Sequence, residues 1–198
     1  FIQDTVRQSM IVLDNPEELL FDYFRMFAIV THRTCRGKQR LSTLTFGGGG
    51  CAFPRYIEKI WPQSRIDVVE IDPQVMKAAR QAFGLAADTT ISTYAMDARN
   101  YVDDLIWQRD SGRHTPTYDI IYGDAFSGSV VPFQLVTRQF NDRVAQILVE
   151  DGAYVMNIID SYDSGLFVGA VLNTLDKTFS KIRVMTTDVP IDHVRNSV

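Results

Sequence analysis

The sequence predicts an α/β domain with a doubly wound, mostly parallel sheet. Short β-prone runs alternate with amphipathic helical segments along most of the 198 residues, which is the pattern of consecutive βαβ units. A run of four glycines follows the first main strand, and an acidic residue stands at or shortly after the end of each of the next three. Because ligands bind at the carboxyl ends of the strands in such sheets, these residues predict a ligand site.

Six segments have the length and apolar content of strands. They cover residues 42–46, 66–70, 90–95, 118–122, 153–158 and 181–185. Helix start signals fall before and between them. Asn15 before Pro16 predicts the start of a first, largely buried helix, and Asp72 stands before a proline in the same way. Thr137 predicts the N-cap of a later helix that Gly152 would end.

The first 14 residues differ from the rest of the chain. They carry a β-prone piece at residues 9–13 and no helical pattern. We therefore expect a short N-terminal β extension at residues 1–14. A shortened β-hairpin would fit this segment. One main domain follows at residues 15–198.

Composition narrows the classes of function. The net charge is −4, so the chain lacks the excess of basic residues with which proteins bind nucleic acid. No apolar stretch is long enough to span a membrane. The two cysteines and three histidines show no spacing typical of a metal site or a disulfide framework. We expect a cytoplasmic protein with no nucleic-acid partner, no membrane segment in this chain and no bound metal.

The glycine run, Gly47 to Gly50, follows the strand predicted at 42–46. Without Cβ atoms this turn lets a ligand approach the backbone, and the helix after it directs its N-terminus at that ligand. Glu70 ends the second main strand. An acidic side chain at this place can accept hydrogen bonds from both hydroxyls of a ribose.

Asp97 and Asp124 follow the third and fourth main strands. Asp97 also suits the N-cap of a helix at 98–105, and Asp124 also suits a turn, so neither residue alone identifies a site. The glycine turn and the three acids, taken in order along successive strand ends, predict a nucleoside-binding domain.

A nicotinamide dinucleotide is one candidate for that nucleoside. Gly47, Gly49 and Ala52 fit the pattern G-x-G-x-x-A of dinucleotide-binding turns. Such a ligand needs room for a second nucleotide beyond the point where the strand order reverses. Asp97 and Asp124 stand at the strand ends there, which argues against it.

Four segments carry a resemblance to a known family: Gly47-Gly48-Gly49, Val68 to Asp72, Asp97-Ala98 and Tyr118 to Asp124. Together they resemble the spermidine synthase family, which consists of aminopropyltransferases on the class I S-adenosylmethionine-dependent methyltransferase fold. The block Asp124 to Gly128, with Val131-Pro132 and Thr137-Arg138, is most similar to a divergent bacterial spermidine synthase-like branch. The resemblance implies a Rossmann-like class I methyltransferase fold whose last strand would follow residue 198.

The resemblance also implies a role for each matched residue. The implied contacts to the nucleoside are Gln3, Gly47, Gly48, Gly49, Glu70, Ile71, Asp97 and Ala98. Among them Glu70 would hold the ribose hydroxyls, Ile71 would pack on the adenine, and Asp97 would accept a hydrogen bond from the adenine amino group. Tyr23 and Asp124 would contact the amine substrate, with Asp124 as the catalytic base.

The implied reaction is an SN2 displacement. An amine such as putrescine would attack the aminopropyl carbon next to the sulfonium of decarboxylated S-adenosylmethionine, and methylthioadenosine would leave. A carboxylate near the amine would take its proton, which is worth roughly 10²–10⁴ in rate. The nucleoside is a co-substrate, so no prosthetic group is expected. A homodimer is common in the family.

Four positions depart from the family pattern. Gly50 stands where the family has an aspartate that holds the donor tail, and Ser127 stands where it has a second acid. Phe24 replaces a histidine or glutamine, and Arg25 replaces a glutamate. The nucleoside half of the site therefore matches better than the amine half. Two alternatives stay open, a methyltransferase that uses S-adenosylmethionine and a non-catalytic nucleoside-binding domain.

Overall fold

The computed structural model describes residues 2–3, 6–7, 9–15, 17–128, 130–161, 164–186 and 194–197. Its helices are α1 (Asp22–Thr34), α2 (Ala52–Ile60), α3 (Pro73–Ala82), α4 (Ala98–Asp110), α5 (Arg138–Ile147) and α6 (Leu166–Leu175). Its strands are β1 (Ile2–Gln3), β2 (Val6–Arg7), β3 (Ser42–Phe46), β4 (Arg65–Glu70), β5 (Ile91–Ala95), β6 (Tyr118–Gly123), β7 (Leu148–Met156), β8 (Ile158–Ser161) and β9 (Val194–Ser197). A short 3₁₀ helix, Phe133–Leu135, lies between β6 and α5.

Five parallel strands form the central sheet in the order β5-β4-β3-β6-β7. The chain runs outward from β3 to β5, and then from β6 to β7 on the other side of β3. The strand order therefore reverses between β3 and β6, which confirms the predicted Rossmann-like class I methyltransferase fold. Because the strands are parallel, the turns after β3, β4, β5 and β6 all lie at the same edge of the sheet.

Helices pack on both faces of the sheet, which explains why most residues of its inner strands β3, β4 and β6 are buried. On one face, α1 and α2 form an aromatic core with the sheet through Phe27, Phe53 and Tyr122. On the other face, α4 and α5 pack on Phe46 and Ile121. The neighbours Ile121 and Tyr122 point into different cores because side chains alternate along a strand.

The predicted caps of three helices are present. The side chains of Asp72, Asp97 and Thr137 accept hydrogen bonds from N–H groups in the first turns of α3, α4 and α5. Each cap fixes the place where the chain leaves a strand or loop and enters a helix.

The predicted start of the first helix is wrong. Asn15 begins a turn, in which the Glu18 N–H donates to the Asn15 carbonyl at 3.0 Å, and Pro16 lies outside the described residues. Helix α1 begins at Asp22, after Phe21, which provides no side-chain cap. The burial of the α1 aromatic side chains against the sheet, and not the cap signal, decides where this helix begins.

Three other boundaries also differ from the sequence prediction. Gly152 does not end a helix, because α5 stops at Ile147 and Leu148 already pairs with Tyr118. Residues 181–185 and 9–13 are not strands, and the sheets of the described residues do not include them. Instead, β1 pairs antiparallel with β2, and β9 pairs antiparallel with β8. The division of the chain at residue 14 stays a prediction. Within the described ranges, no helix has the length and apolar character needed to cross a lipid bilayer.

A fully buried carboxylate, Asp67 in β4, links the sheet to α4. Its Oδ2 accepts hydrogen bonds from the Tyr118 hydroxyl at 2.8 Å and from Arg65 Nε at 2.7 Å. The Tyr118 hydroxyl is also 3.1 Å from the hydroxyl of Tyr101 on α4. Burial, with a further contribution from the Asp67 charge, raises the pKa of Tyr118 far above its ordinary value. The tyrosine therefore stays protonated and able to donate.

Replacing Asp67 by alanine would deprive Tyr118 and Arg65 of their carboxylate acceptor. We expect Asp67→Ala to lower the free energy of unfolding by about 3 kcal/mol, as is typical when one partner of a buried pair is removed. Urea unfolding followed by circular dichroism measures the change. The control is Asp110→Ala, which removes an exposed carboxylate 3.9 Å from Arg109 and should cost at most about 0.5 kcal/mol. Equal losses in the two variants would contradict the prediction.

Candidate active site

A cavity of about 650 Å³ opens at the carboxyl edge of the sheet, where the sequence predicts a ligand site. The residues with an implied nucleoside or amine contact that line it are Tyr23, Gly47, Gly49, Glu70, Ile71, Asp97, Ala98 and Asp124. Gly48 is buried in the same loop and does not line this cavity. Gln3 belongs to β1, but its side chain lies outside the described residues.

Two strand ends meet at Gly47. Its N–H donates to the Val69 carbonyl at 2.8 Å, and the Asp124 N–H donates to the Phe46 carbonyl at 2.9 Å. The backbone of Gly47 has φ +97°, a region that favours glycine. A Cβ here would collide with the Asp124 carbonyl, whose carbon would lie 2.8 Å away. Glycine at this position therefore lets the backbone of Asp124 pack directly on the loop.

Glu70 holds the glycine loop against the turn after β4. Its Oε2 accepts from the Gly48 N–H at 2.7 Å, and its Oε1 accepts from the Asp72 N–H at 2.9 Å. A Cβ on Gly48 would lie 3.0 Å from the Cβ of Glu70, so glycine is needed for this approach. Each carboxylate oxygen can accept a further hydrogen bond. The fixed carboxylate can therefore still accept from the hydroxyls of a ribose.

Gly50, where the family has an aspartate, is enclosed by two other side chains. Its N–H donates to Ser9 Oγ at 3.0 Å. A Cβ on Gly50 would lie 2.6 Å from Ser9 Oγ and 2.5 Å from the ring of Phe83. An aspartate does not fit unless both neighbours move. The packing of Ser9 and Phe83 around the loop therefore favours glycine over the family's aspartate at this position.

Asp97 combines the two roles that the sequence allows. Its Oδ1 caps α4 by accepting from the N–H groups of Arg99 at 2.8 Å and Asn100 at 3.2 Å. Its Oδ2 lies 3.4 Å from Nε2 of Gln134. The cap thus orients the carboxylate and leaves one oxygen for a ligand in the cavity.

Asp124 receives hydrogen bonds from two buried side chains. The Tyr23 hydroxyl donates to Oδ2 at 3.1 Å, and Asn157 Nδ2 donates to Oδ1 at 3.0 Å. Burial raises the pKa of Asp124 to about 7, although both hydrogen bonds favour the charged form and lower it. A carboxyl group that titrates near neutral pH is well suited to take a proton from a substrate.

Asn157 is a site residue that the sequence analysis missed. It is buried, and its Oδ1 has no hydrogen-bond partner in the part of the chain that the structure describes. The strand predicted at 153–158 ran through this position, whereas β7 ends at Met156. Asn157 therefore follows a strand end, as Asp97 and Asp124 do, and a correct boundary would have drawn attention to it.

Three residues differ from the family pattern in the half of the site where the resemblance places the amine, and each difference has its own explanation. Arg25 is exposed and bonds to Asp22, with Nη1 3.1 Å from Oδ1, so it does not line the cavity. Phe24 is buried and stacks on Phe53 with ring centroids 5.5 Å apart, which makes it a core residue. Ser127 is exposed and does line the cavity, so the second acid of the family is absent from this wall.

The charge of the cavity has a single sign. Its charged lining residues are Glu70, Asp72, Asp97 and Asp124, and no described lining residue is a lysine, arginine or histidine. A cleft lined by carboxylates concentrates cations. Across the residues with described positions, no three His, Cys, Asp or Glu side chains group as ligands for a metal ion.

The raised pKa of Asp124 should appear in the pH dependence of stability. The folded state binds a proton up to about pH 7, whereas an unfolded aspartate releases it near pH 4, so stability is lost as the pH rises between these values. We expect Asp124→Asn to remove this loss and to be more stable than the wild type at pH 8 by on the order of 2–4 kcal/mol. Urea unfolding at pH 4.5, 6 and 8 measures it. The control is Asp104→Asn, at an exposed position, which should follow the wild-type curve. Parallel curves for all three proteins would contradict a raised pKa of Asp124.

The close approach at Gly47 predicts a specific loss of ligand binding. We expect Gly47→Ala to displace the Asp124 backbone and to weaken methylthioadenosine binding at least tenfold in calorimetric titration, about 1.4 kcal/mol. Gly112→Ala is the matched control, because Gly112 also has a left-handed backbone, φ +80°, but has open space around its Cβ position. Backbone strain alone would lower the stability of both variants. If the two variants bind the nucleoside equally well, the contact between Gly47 and Asp124 does not determine the affinity for the nucleoside.

Comparison with known proteins gives relatives of two kinds. No protein-family model matches the chain. It is 32% identical over 125 residues to the eEF1A lysine and N-terminal methyltransferase of Mus musculus, covering 60% of this chain and 17% of that protein. It is 33% identical over 114 residues to the polyamine aminopropyltransferase of Vibrio vulnificus, covering 58% of this chain and 36% of that protein. The chain thus spans 17% of the length of the first relative and 36% of the second.

A solved structure covers almost the whole chain. The probable spermidine synthase of Corynebacterium glutamicum matches with a TM-score of 0.79 and 27% identity, over 94% of this chain and 66% of that chain. These matches support a likeness to the spermidine synthase-like family, and the sheet order is that of the class I methyltransferase fold.

Proposed function

We propose that the chain is a transferase that moves an aminopropyl group from decarboxylated S-adenosylmethionine to a small amine such as putrescine. The observation that carries the proposal is the acidic cavity around Asp124. The proposal includes a cytoplasmic setting, as the cysteine pattern suggests, and a homodimer, as the family resemblance implies. It is supported by the relatives named polyamine aminopropyltransferase and spermidine synthase.

The charge of the cavity suits the two proposed reactants. The donor carries a sulfonium and an ammonium group, and the acceptor amine is a cation in water. All charged residues of the described lining are acidic, so they attract both molecules and offset their mutual repulsion. The carboxylate retained by S-adenosylmethionine would meet the same negative field. The charge therefore favours the decarboxylated donor.

The nucleoside contacts of the proposal follow the strand ends. Glu70 holds the ribose hydroxyls, and Asp97 accepts from the adenine amino group beside Ala98. Ile71, whose side chain is 66% exposed at the cavity wall, packs on the base, and covering it removes apolar surface from water. The loop of Gly47, Gly48 and Gly49 supports the sulfur end, and Gln3 reaches the nucleoside from the N-terminal extension.

Asp124 is the catalytic base of the proposed reaction. The acceptor amine gives one proton to the carboxylate, and its free electron pair attacks the donor carbon next to sulfur. A C–N bond forms as the C–S bond breaks, and the sulfur keeps the bonding pair as neutral methylthioadenosine. Tyr23 and Asn157 fix the carboxylate by their hydrogen bonds. Holding the two reactants in line contributes further to the rate.

A methyltransferase is the second candidate, and one observation favours it. The enclosure of Gly50 by Ser9 and Phe83 leaves no place for the acid that holds the donor tail in aminopropyltransferases. A relative named as a methyltransferase matches the chain about as well as the aminopropyltransferase does. In that case the acceptor would attack the methyl carbon of S-adenosylmethionine, and the amine proton would again pass to Asp124.

Product analysis separates the two reactions. We expect the purified protein, given putrescine and decarboxylated S-adenosylmethionine, to release methylthioadenosine and spermidine, both detected by mass spectrometry. Asp124→Asn should lower this rate by about 10²–10⁴, the usual contribution of a general base. Its affinity for methylthioadenosine should change less than about threefold, since the base does not hold the nucleoside. Asp104→Asn, an exposed change on α4, should react like the wild type.

The other results lead to different conclusions. Release of S-adenosylhomocysteine from S-adenosylmethionine, with no reaction of the decarboxylated donor, would establish the methyltransferase. Nucleoside binding without turnover of either donor, unchanged in Asp124→Asn, would favour a non-catalytic domain. An unaltered rate in Asp124→Asn would remove Asp124 from the mechanism.

A further inference from the structure

Gln134 occupies the corner of the cavity next to Asp97 and Ala98, and it takes no part in the proposed reaction. It is half-buried in the cavity wall. Its Nε2 lies 3.4 Å from Asp97 Oδ2, which is long for a hydrogen bond. The carboxamide is therefore held near the carboxylate but remains available to a ligand that offers better geometry.

The backbone that carries Gln134 is anchored to the same helix that Asp97 caps. Arg99 Nη1 donates to the Gln134 carbonyl at 3.1 Å and to Thr137 Oγ1 at 3.2 Å. Thr137 Oγ1 in turn accepts from the Phe140 N–H at the start of α5. These contacts fix the position of the 3₁₀ helix relative to Asp97. The Gln134 side chain is thus presented to the cavity from a rigid support.

The polar groups in this corner match one edge of an adenine ring. Adenine offers two N6–H donors between the acceptors N1 and N7. Asp97 Oδ2 can accept one N6–H, and the N–H of Ala98, which the Asp97 cap does not use, can donate to N1. A carboxamide complements the remaining pair, because its oxygen accepts and its NH₂ group donates in one plane.

We propose that Gln134 reads the N6–N7 edge of adenine and so determines the purine specificity of the donor site. The inference rests on the proposed function, since it takes an adenosine nucleoside as the ligand. On binding, the adenine amino group enters between Asp97 and Gln134. The carboxamide turns so that Oε1 accepts the second N6–H and Nε2 donates to N7. A 6-oxopurine would set an acceptor against the Asp97 carboxylate and is rejected.

Calorimetric titration with two nucleosides tests this contact. The probes are methylthioadenosine and its 7-deaza analogue, in which a C–H replaces N7. We expect the wild type to prefer methylthioadenosine by about tenfold, the usual size of discrimination by such a pair. Gln134→Leu should bind both probes more weakly and without preference. Gln139→Leu, an exposed change on α5, should keep the wild-type preference.

The design distinguishes failure of this inference from failure of the proposed function. If the wild type binds methylthioadenosine but shows no preference over the 7-deaza analogue, Gln134 does not read N7. The same conclusion follows if Gln134→Leu keeps the preference, because another group must then supply it. If the wild type binds neither nucleoside, the proposed function itself fails, and the role of Gln134 falls with it.

Discussion

The packing of Gly47 on the carbonyl of Asp124 is the contact on which the site depends. It brings the end of β3 against the end of β6, at the place where the strand order reverses. The Gly47 N–H bonds to Val69 on one side, and Asp124 bonds to Phe46 on the other. The glycine loop, Asp124 and the turn after β4 are therefore joined in one unit. A missing Cβ, rather than any functional group, makes this arrangement possible.

The acids of the site are stabilised by different means, which gives them different properties. Glu70 and Asp97 each accept hydrogen bonds from backbone N–H groups, so the fold itself holds them in place for a ligand. Asp124 is instead enclosed with two neutral donors, and its pKa rises to about 7 because desolvation outweighs their hydrogen bonds. Carboxylates are thus fixed hydrogen-bond acceptors at two strand ends, whereas the carboxyl group at the third has a pKa near neutral pH.

The parts of the site that depend on local pattern could be predicted, and the parts that depend on distant contacts could not. Apolar runs located the central strands, and the strand-end rule then identified Glu70, Asp97 and Asp124. The cap signal at Asn15 misled, because the packing of the α1 aromatics decided where that helix begins. Gln134 gave no signal of its own, since its place in the cavity depends on the bonds that Arg99 makes from another element.

The hydrogen bond between Gly50 and Ser9 connects the start of the chain to the loop that would carry the donor. Docking of residue 9 and the conformation of the loop are therefore thermodynamically linked. A nucleoside bound to this loop would therefore stabilise the contact with Ser9, and that contact would stabilise the bound nucleoside by the same free energy.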